Sequence, residues 1–158
     1  MENVSLTRYL DSDRVCLLHE ISSTKRVFEL LGELLAKNLD DIQATQVSEG
    51  LQARERLGTT ALGEGVAIPH CRIDNLKEIR CAVLKLNRAV DFDSPDQQGV
   101  TLFYALLVPE DATDEHLKTL ALLAEFLSDQ ENRNKLRNCT SAKEILNIFA
   151  ETTDKHAA

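Results

Sequence analysis

Tryptophan is absent from this sequence, and aromatic side chains make up only 4% of it. Stacking platforms for single-stranded nucleic acid are built from such rings, so that class of function has little to stand on. Basic charge is also short: 18 Lys and Arg stand against 26 Asp and Glu, for a net charge of −8. A surface of that sign repels phosphate backbones and anionic lipid, and no nucleic-acid partner is expected. Its natural complement is a protein with a basic face. Long apolar runs are missing too. The longest, LFYALLV at 102–108, is far below the about 18 residues that a membrane span requires. The opening stretch MENVSLTRYLDSDR has no apolar signal core. The expectation is a cytoplasmic protein with no membrane insertion.

Several chemical frameworks are missing as well. The four cysteines form no disulfide pattern and read as reduced thiols. Cys16 and Cys81 lie in apolar, strand-like runs, where free cysteine is commonly buried, and Cys139 lies in a polar turn. Cys16-x-x-His19 and His70-Cys71 contain metal-ligand types but not two zinc-spaced clusters, so no metal is expected. There is no G-x-S-x-G elbow, and Gly63-Glu64-Gly65 is neither a dinucleotide fingerprint nor a P-loop. His19 and His156 have no supporting neighbours. With three prolines and six glycines, no Pro/Gly/Ser-rich linker divides the chain. A single domain over 1–158 is expected, its core at about 5–150, with a frayed tail at 151–158 (ETTDKHAA).

What is present is strong patterning. RVCLLHE (14–20) reads as a buried strand. Ser22 and Ser23 are N-cap candidates for a helix whose Val27, Leu30, Leu31, Leu34 and Leu35 recur at helical spacing. TQVSEGLQARERLG reads as a second helix ending near Gly58. Three strand-like runs follow: GVAIPH, IRCAVLKLNRAV and VTLFYALLVP, the last apolar enough for a central strand buried on both faces. Three helical stretches close the chain. The first places Leu117, Leu120, Ala121, Ala124 and Leu127 on one face; the last is capped by Thr140 or Ser141. The order β-α-α-β-β-β-α-α-α predicts an α/β fold with helices on both sides of a mixed sheet.

Three features carry chemistry. In GEGVAIPHC, Pro69 should stop a strand and leave His70 at its end, where a side chain can reach a cleft. Neutral imidazole is a competent nucleophile near pH 7. Spacing alone does not separate this from a surface histidine that happens to end a strand. Just upstream, RERLGTTALGEG offers guanidinium, hydroxyl and open backbone N–H groups, the donors an oxyanion needs. By itself it also reads as an ordinary helix stop and loop. Third, a Thr113 N-cap would put His116 at the third helical position. There it aligns with Leu120 and Leu123 at the border of the apolar face, the place of a half-buried packing histidine as well as of an anion contact.

LGTTALGEGVAIPH resembles the active-site signature of the enzyme IIA domains of the fructose/mannitol class of the bacterial phosphotransferase system. LFYALLVPEDATDEHLKTLALLAEFL resembles the same family around its second histidine, and the nitrogen-regulatory branch is the most similar. The resemblance spans roughly residues 5 to 150. It implies a three-layer α/β/α sandwich. It implies phosphorylation of His70, with His116 and Arg54 stabilising the phosphoryl group and Thr59 and Thr60 as hydroxyl donors to it. Thr59 stands where the family commonly has serine, and Cys71 where it often has glycine. No cofactor is needed for transfer between two imidazoles. The implied donor is a histidine phosphocarrier protein (HPr-like), and the implied role is control of regulatory target proteins by phosphorylation state. Two alternatives are a sugar-specific enzyme IIA that passes phosphate to a IIB domain of a permease, and an interaction module without the chemistry.

Overall fold

The computed structural model describes residues 6–21, 23–112 and 114–157. After a short 3-10 turn at Ser12–Arg14, the chain forms β1 (Val15–His19), α1 (Thr24–Leu35) and α2 (Ala44–Glu55). Five strands follow: β2 (Ala61–Gly63), β3 (Val66–Ala67), β4 (His70–Ile73), β5 (Arg80–Val90) and β6 (Val100–Pro109). Helices α3 (Glu115–Ser128), α4 (Gln130–Arg137) and α5 (Ala142–Ala157) complete it. The sheet order is β1-β5-β6-β3-β2, with β4 also on β6. It is mixed: β1 is parallel to β5, β5 antiparallel to β6, and β3 and β4 parallel to β6.

Strand β6 organises the layers. Val100, Phe103, Ala105 and Leu107 enter one core with α1 and α2. Leu102, Tyr104, Leu106 and Val108 enter the other with α3, α4 and α5. From Leu102 to Val108 this is a period-two division between two buried faces, and it makes the strand read as a continuous apolar run. The α/β/α arrangement expected from element order is therefore the one formed. Among the described residues, no helix is long and apolar enough to cross a membrane.

Local signals act where expected. The Ser23 hydroxyl accepts from the Arg26 N–H and caps α1, whose Val27, Phe28, Leu30, Leu31 and Leu35 are buried; Ser22 lies outside the described residues. A Cβ on Gly32 would stand 2.5 Å from the Ala44 carbonyl, so glycine is what lets α1 and α2 close. Ser141 accepts from the Glu144 N–H and caps α5.

Four details differ from the expectations. The run GVAIPH is not one strand stopped by proline. It is two short pieces, β3 and β4, in one register along β6, for Val66 faces Leu102 and His70 faces Leu106. Pro69 removes a donor, but its carbonyl still accepts from the Leu106 N–H at 2.9 Å, so pairing resumes at His70. His70 thus opens a strand. Gly63, Glu64 and Gly65, all at positive φ, make the β2–β3 turn, in which the Glu64 N–H is held by Asp96 and its carbonyl by Arg137. On α3 the buried side runs through His116, Thr119, Leu123, Phe126 and Leu127, while Leu117 is 58% exposed. Cys139 lies in the polar turn after α4, where its carbonyl accepts from Lys85, but its side chain is buried in the second core and its thiol donates to the Lys135 carbonyl.

Candidate functional site

His70 is half-buried at the first position of β4, and alternation sends Cys71 and Ile73 into the first core while His70 and Arg72 face the other way. The His70 Nδ1 is 2.8 Å from the Ile68 carbonyl. A carbonyl only accepts, so Nδ1 carries the proton and the lone pair of the neutral ring is on Nε2. Burial lowers the His70 pKa from its ordinary value; the Ile68 carbonyl raises it, Arg54 lowers it, Glu55 raises it and His116 lowers it. Arg54, Glu55 and His116 are therefore all electrostatic neighbours of the ring. The net direction keeps the imidazole neutral and nucleophilic near pH 7. Cys71 is no rival, since burial pushes its thiol up to about 12.

The α2 side is a tight turn. Arg54, half-buried near the end of α2, donates through Nη1 to the Gly58 carbonyl at 2.9 Å. Glu55 accepts from the Thr60 N–H at 2.8 Å and from the Thr60 hydroxyl at 2.7 Å. Thr60 in turn receives the Ile68 N–H on its carbonyl, which ties the turn to the peptide that holds His70. The Thr59 hydroxyl donates to the Phe92 carbonyl at 2.9 Å and accepts from the Ala61 N–H. Both threonine hydroxyls, expected to meet a phosphoryl group, have their protons on protein acceptors.

The other side comes from β4 and α3. Asp114 occupies the N-cap position of α3, so His116 is its second residue, one place earlier than expected. The expected cap, Thr113, lies outside the described residues. His116 is 9% exposed, and its Nε2 lies 3.4 Å from Arg72 Nη2. A guanidinium has only donors, so this nitrogen is the acceptor of the pair. Arg72 Nη1 also donates to the Glu110 and Ala112 carbonyls, both at 2.9 Å, and so fastens the β6–α3 turn to β4.

The fold makes Arg54 and His116 electrostatic neighbours of His70, and it sets beside them two residues that sequence reasoning did not single out, Glu55 and Arg72. Glu55 could have been noticed as the acid five residues before Thr60, within reach across a turn. Arg72 could have been noticed from strand alternation, which puts it on the His70 side.

In this α/β/α sandwich one neutral, oriented imidazole stands among Arg54, Glu55 and His116, and the comparisons agree on the family of the chain. The model of the "Phosphoenolpyruvate-dependent sugar phosphotransferase system, EIIA 2" family matches residues 8–152. The chain belongs to that family and is a phosphotransferase-system IIA component. It is 42% identical to a nitrogen regulatory protein of Pseudomonas aeruginosa over 129 residues, covering 82% of this chain and 84% of that one. It is 37% identical to the nitrogen regulatory protein of Escherichia coli (strain K12), covering 96% of each. The crystal structure of the nitrogen regulatory protein IIA-Ntr from Neisseria meningitidis superposes with a TM-score of 0.87 at 40% identity, over 91% of this chain and 98% of that one.

Proposed function

We propose that this protein is a regulatory phosphocarrier of a nitrogen branch of the phosphotransferase system. It accepts a phosphoryl group on His70 from a histidine phosphocarrier protein in the cytoplasm and controls target proteins by its phosphorylation state. The observation that carries the chemistry is the Nδ1–H bond from His70 to the Ile68 carbonyl, which presents the Nε2 lone pair outward. The names of the 37–42% identical relatives support the regulatory half.

The step is an in-line exchange between two imidazoles. The Nε2 lone pair of His70 forms the new N–P bond as the donor's N–P bond breaks, and the departing imidazole keeps that electron pair. The proton stays on His70 Nδ1, hydrogen-bonded to the Ile68 carbonyl, throughout. The transition state is loose, so positioning and charge stabilisation decide the rate. Arg54 and His116 supply that stabilisation around the equatorial oxygens, as preorganised donors do for developing charge. Thr59 and Thr60 shape the turn, their hydroxyls donating to the Phe92 carbonyl and to Glu55 in the unmodified protein.

Incubation with phosphoenolpyruvate, enzyme I and the phosphocarrier, followed by mapping of the acid-labile phosphopeptide, tests the acceptor. Label on the peptide containing His70 is the expected result; label retained in His70→Ala would end the proposal. Titration of both forms against a copurifying target tests the regulatory half. Efficient onward transfer to a IIB domain, with equal target affinity for the two forms, would make the protein a sugar relay instead.

A further inference from the structure

The Glu55 carboxylate sits on the donors an incoming anion would want. One oxygen takes the Thr60 N–H and the other the Thr60 hydroxyl, at 2.8 and 2.7 Å. That two-point grip by an N–H and an O–H on one carboxylate is also how a protein holds two oxygens of a phosphoryl group. The grip is close to His70. Thr60 is bonded through its carbonyl to Ile68, Ile68 through its own carbonyl to the His70 ring, and Glu55 acts on the charge of that ring.

We infer that Glu55 is an internal stand-in for the phosphoryl group. It holds the Thr60 donors while His70 is unmodified and gives them up when His70 is phosphorylated. This rests on the reading of His70 as the acceptor. The reasoning is electrostatic. A phosphoryl group brings roughly −1.5 to −2 charges at pH 7. Set beside a carboxylate in a half-buried site, it makes a like-charge pair that water screens poorly. Its oxygens need fixed donors, and the Thr60 N–H cannot leave, since Thr60 is only 5% exposed and tied to Ile68. The Glu55 side chain can. It already lines a cavity of about 490 Å³ with Thr24, Phe28, Arg56, Thr59 and Phe92. Arg56 on that wall offers a counter-charge against Asp91 and Asp93, which also line it. Release of Glu55 would carry the phosphorylation state of His70 to a surface on the far side of the 56–60 turn, where a target could read it.

The test uses the full chain, phosphorylated by phosphoenolpyruvate, enzyme I and the phosphocarrier, with ¹⁵N and side-chain ¹³C spectra recorded before and after. The expected result is a large shift of the Thr60 amide together with movement of the Glu55 carboxyl resonance to a solvent-like position. In the Glu55→Gln variant the like-charge contact is gone, so the equilibrium between phosphocarrier and His70 should move toward His70 by on the order of tenfold. In Thr60→Val, which keeps the N–H and loses the hydroxyl, it should move back toward the carrier. Label on His70 with Thr60 and Glu55 signals unmoved, or a Glu55→Gln equilibrium at or below wild type, would overturn the stand-in and leave the acceptor assignment intact. Absence of label on His70 would overturn both.

Discussion

On the α2 side of His70, Arg54, Glu55 and Thr60 bond to partners four or five residues away; on the α3 side, Arg72 and His116 meet across 44 residues of chain. The first flank is a self-contained turn. Its hydrogen bonds exist because a helix ends at Glu55 and the chain doubles back within five residues. The second exists only because β4 and β6 are paired, with Ile73 opposite Pro109, so that the strand end carrying Arg72 lies beside the turn that leads into α3. The two flanks also differ in sign. The α2 flank sets a cation and an anion against the ring, whereas the α3 flank presents a guanidinium and an imidazole and, through Arg72, three carbonyls that fix the turn. The charge balance of the site is therefore adjusted locally, and its shape is held by long-range structure.

The largest expected effect removes what the flanks share. His70→Ala should abolish phosphoryl acceptance outright in a labelling assay, with no residual site on either side. Next come the two stabilising residues. Arg54→Ala and His116→Ala should each slow transfer by about 10²- to 10³-fold while His70 is still labelled. Wild-type rapid-quench rates in both variants would show that neither flank contacts the phosphoryl group. Arg72→Ala should cost less, about ten- to a hundredfold, because it acts by holding His116 and the 110–112 turn. Arg72→Lys should recover only part of the loss, since an ammonium lacks the planar fork that spans several acceptors. An Arg72→Ala effect larger than that of His116→Ala would move Arg72 from positioning into the chemistry.

The smallest expected effect is a displacement of the pH profile, and it separates the flanks by sign. His70 has its folded pKa below the ordinary value because of burial first, so the acceptance rate should rise with pH through a midpoint below 6.5 and then level off. Arg54 lowers that pKa and Glu55 raises it. Arg54→Ala should shift the midpoint up, and Glu55→Gln should shift it down. The same sign governs stability. The unfolded chain takes up the proton first, so this group's contribution is complete above the unfolded value and is lost as pH falls through the folded one. Profiles of the two variants that move in the same direction would mean that the turn's geometry, and not its charge, dominates.

Sequence alone determined the parts that depend on short-range periodicity. A nearly unbroken apolar run marked β6 as central, and helical spacing with cap candidates at Ser22 or Ser23 and at Thr140 or Ser141 marked α1 and α5. The Pro-His pair, with its glycine- and threonine-rich approach, marked the place proposed for the chemistry. Those signals are legible because they need only neighbours within a turn of helix or a few residues of strand. Tertiary structure decided the rest. It set which stripe of α3 is buried, because Leu117 and Leu123 look alike until the sheet is beneath them. It let the strand resume after Pro69, because β6 offers the Leu106 N–H to the proline carbonyl. It gave the threonine hydroxyls to Phe92 and Glu55, and it gave His116 to Arg72. A side chain's partner is a matter of three-dimensional distance, and residues 33 or 44 apart in the chain leave no periodic trace of the contact they will make.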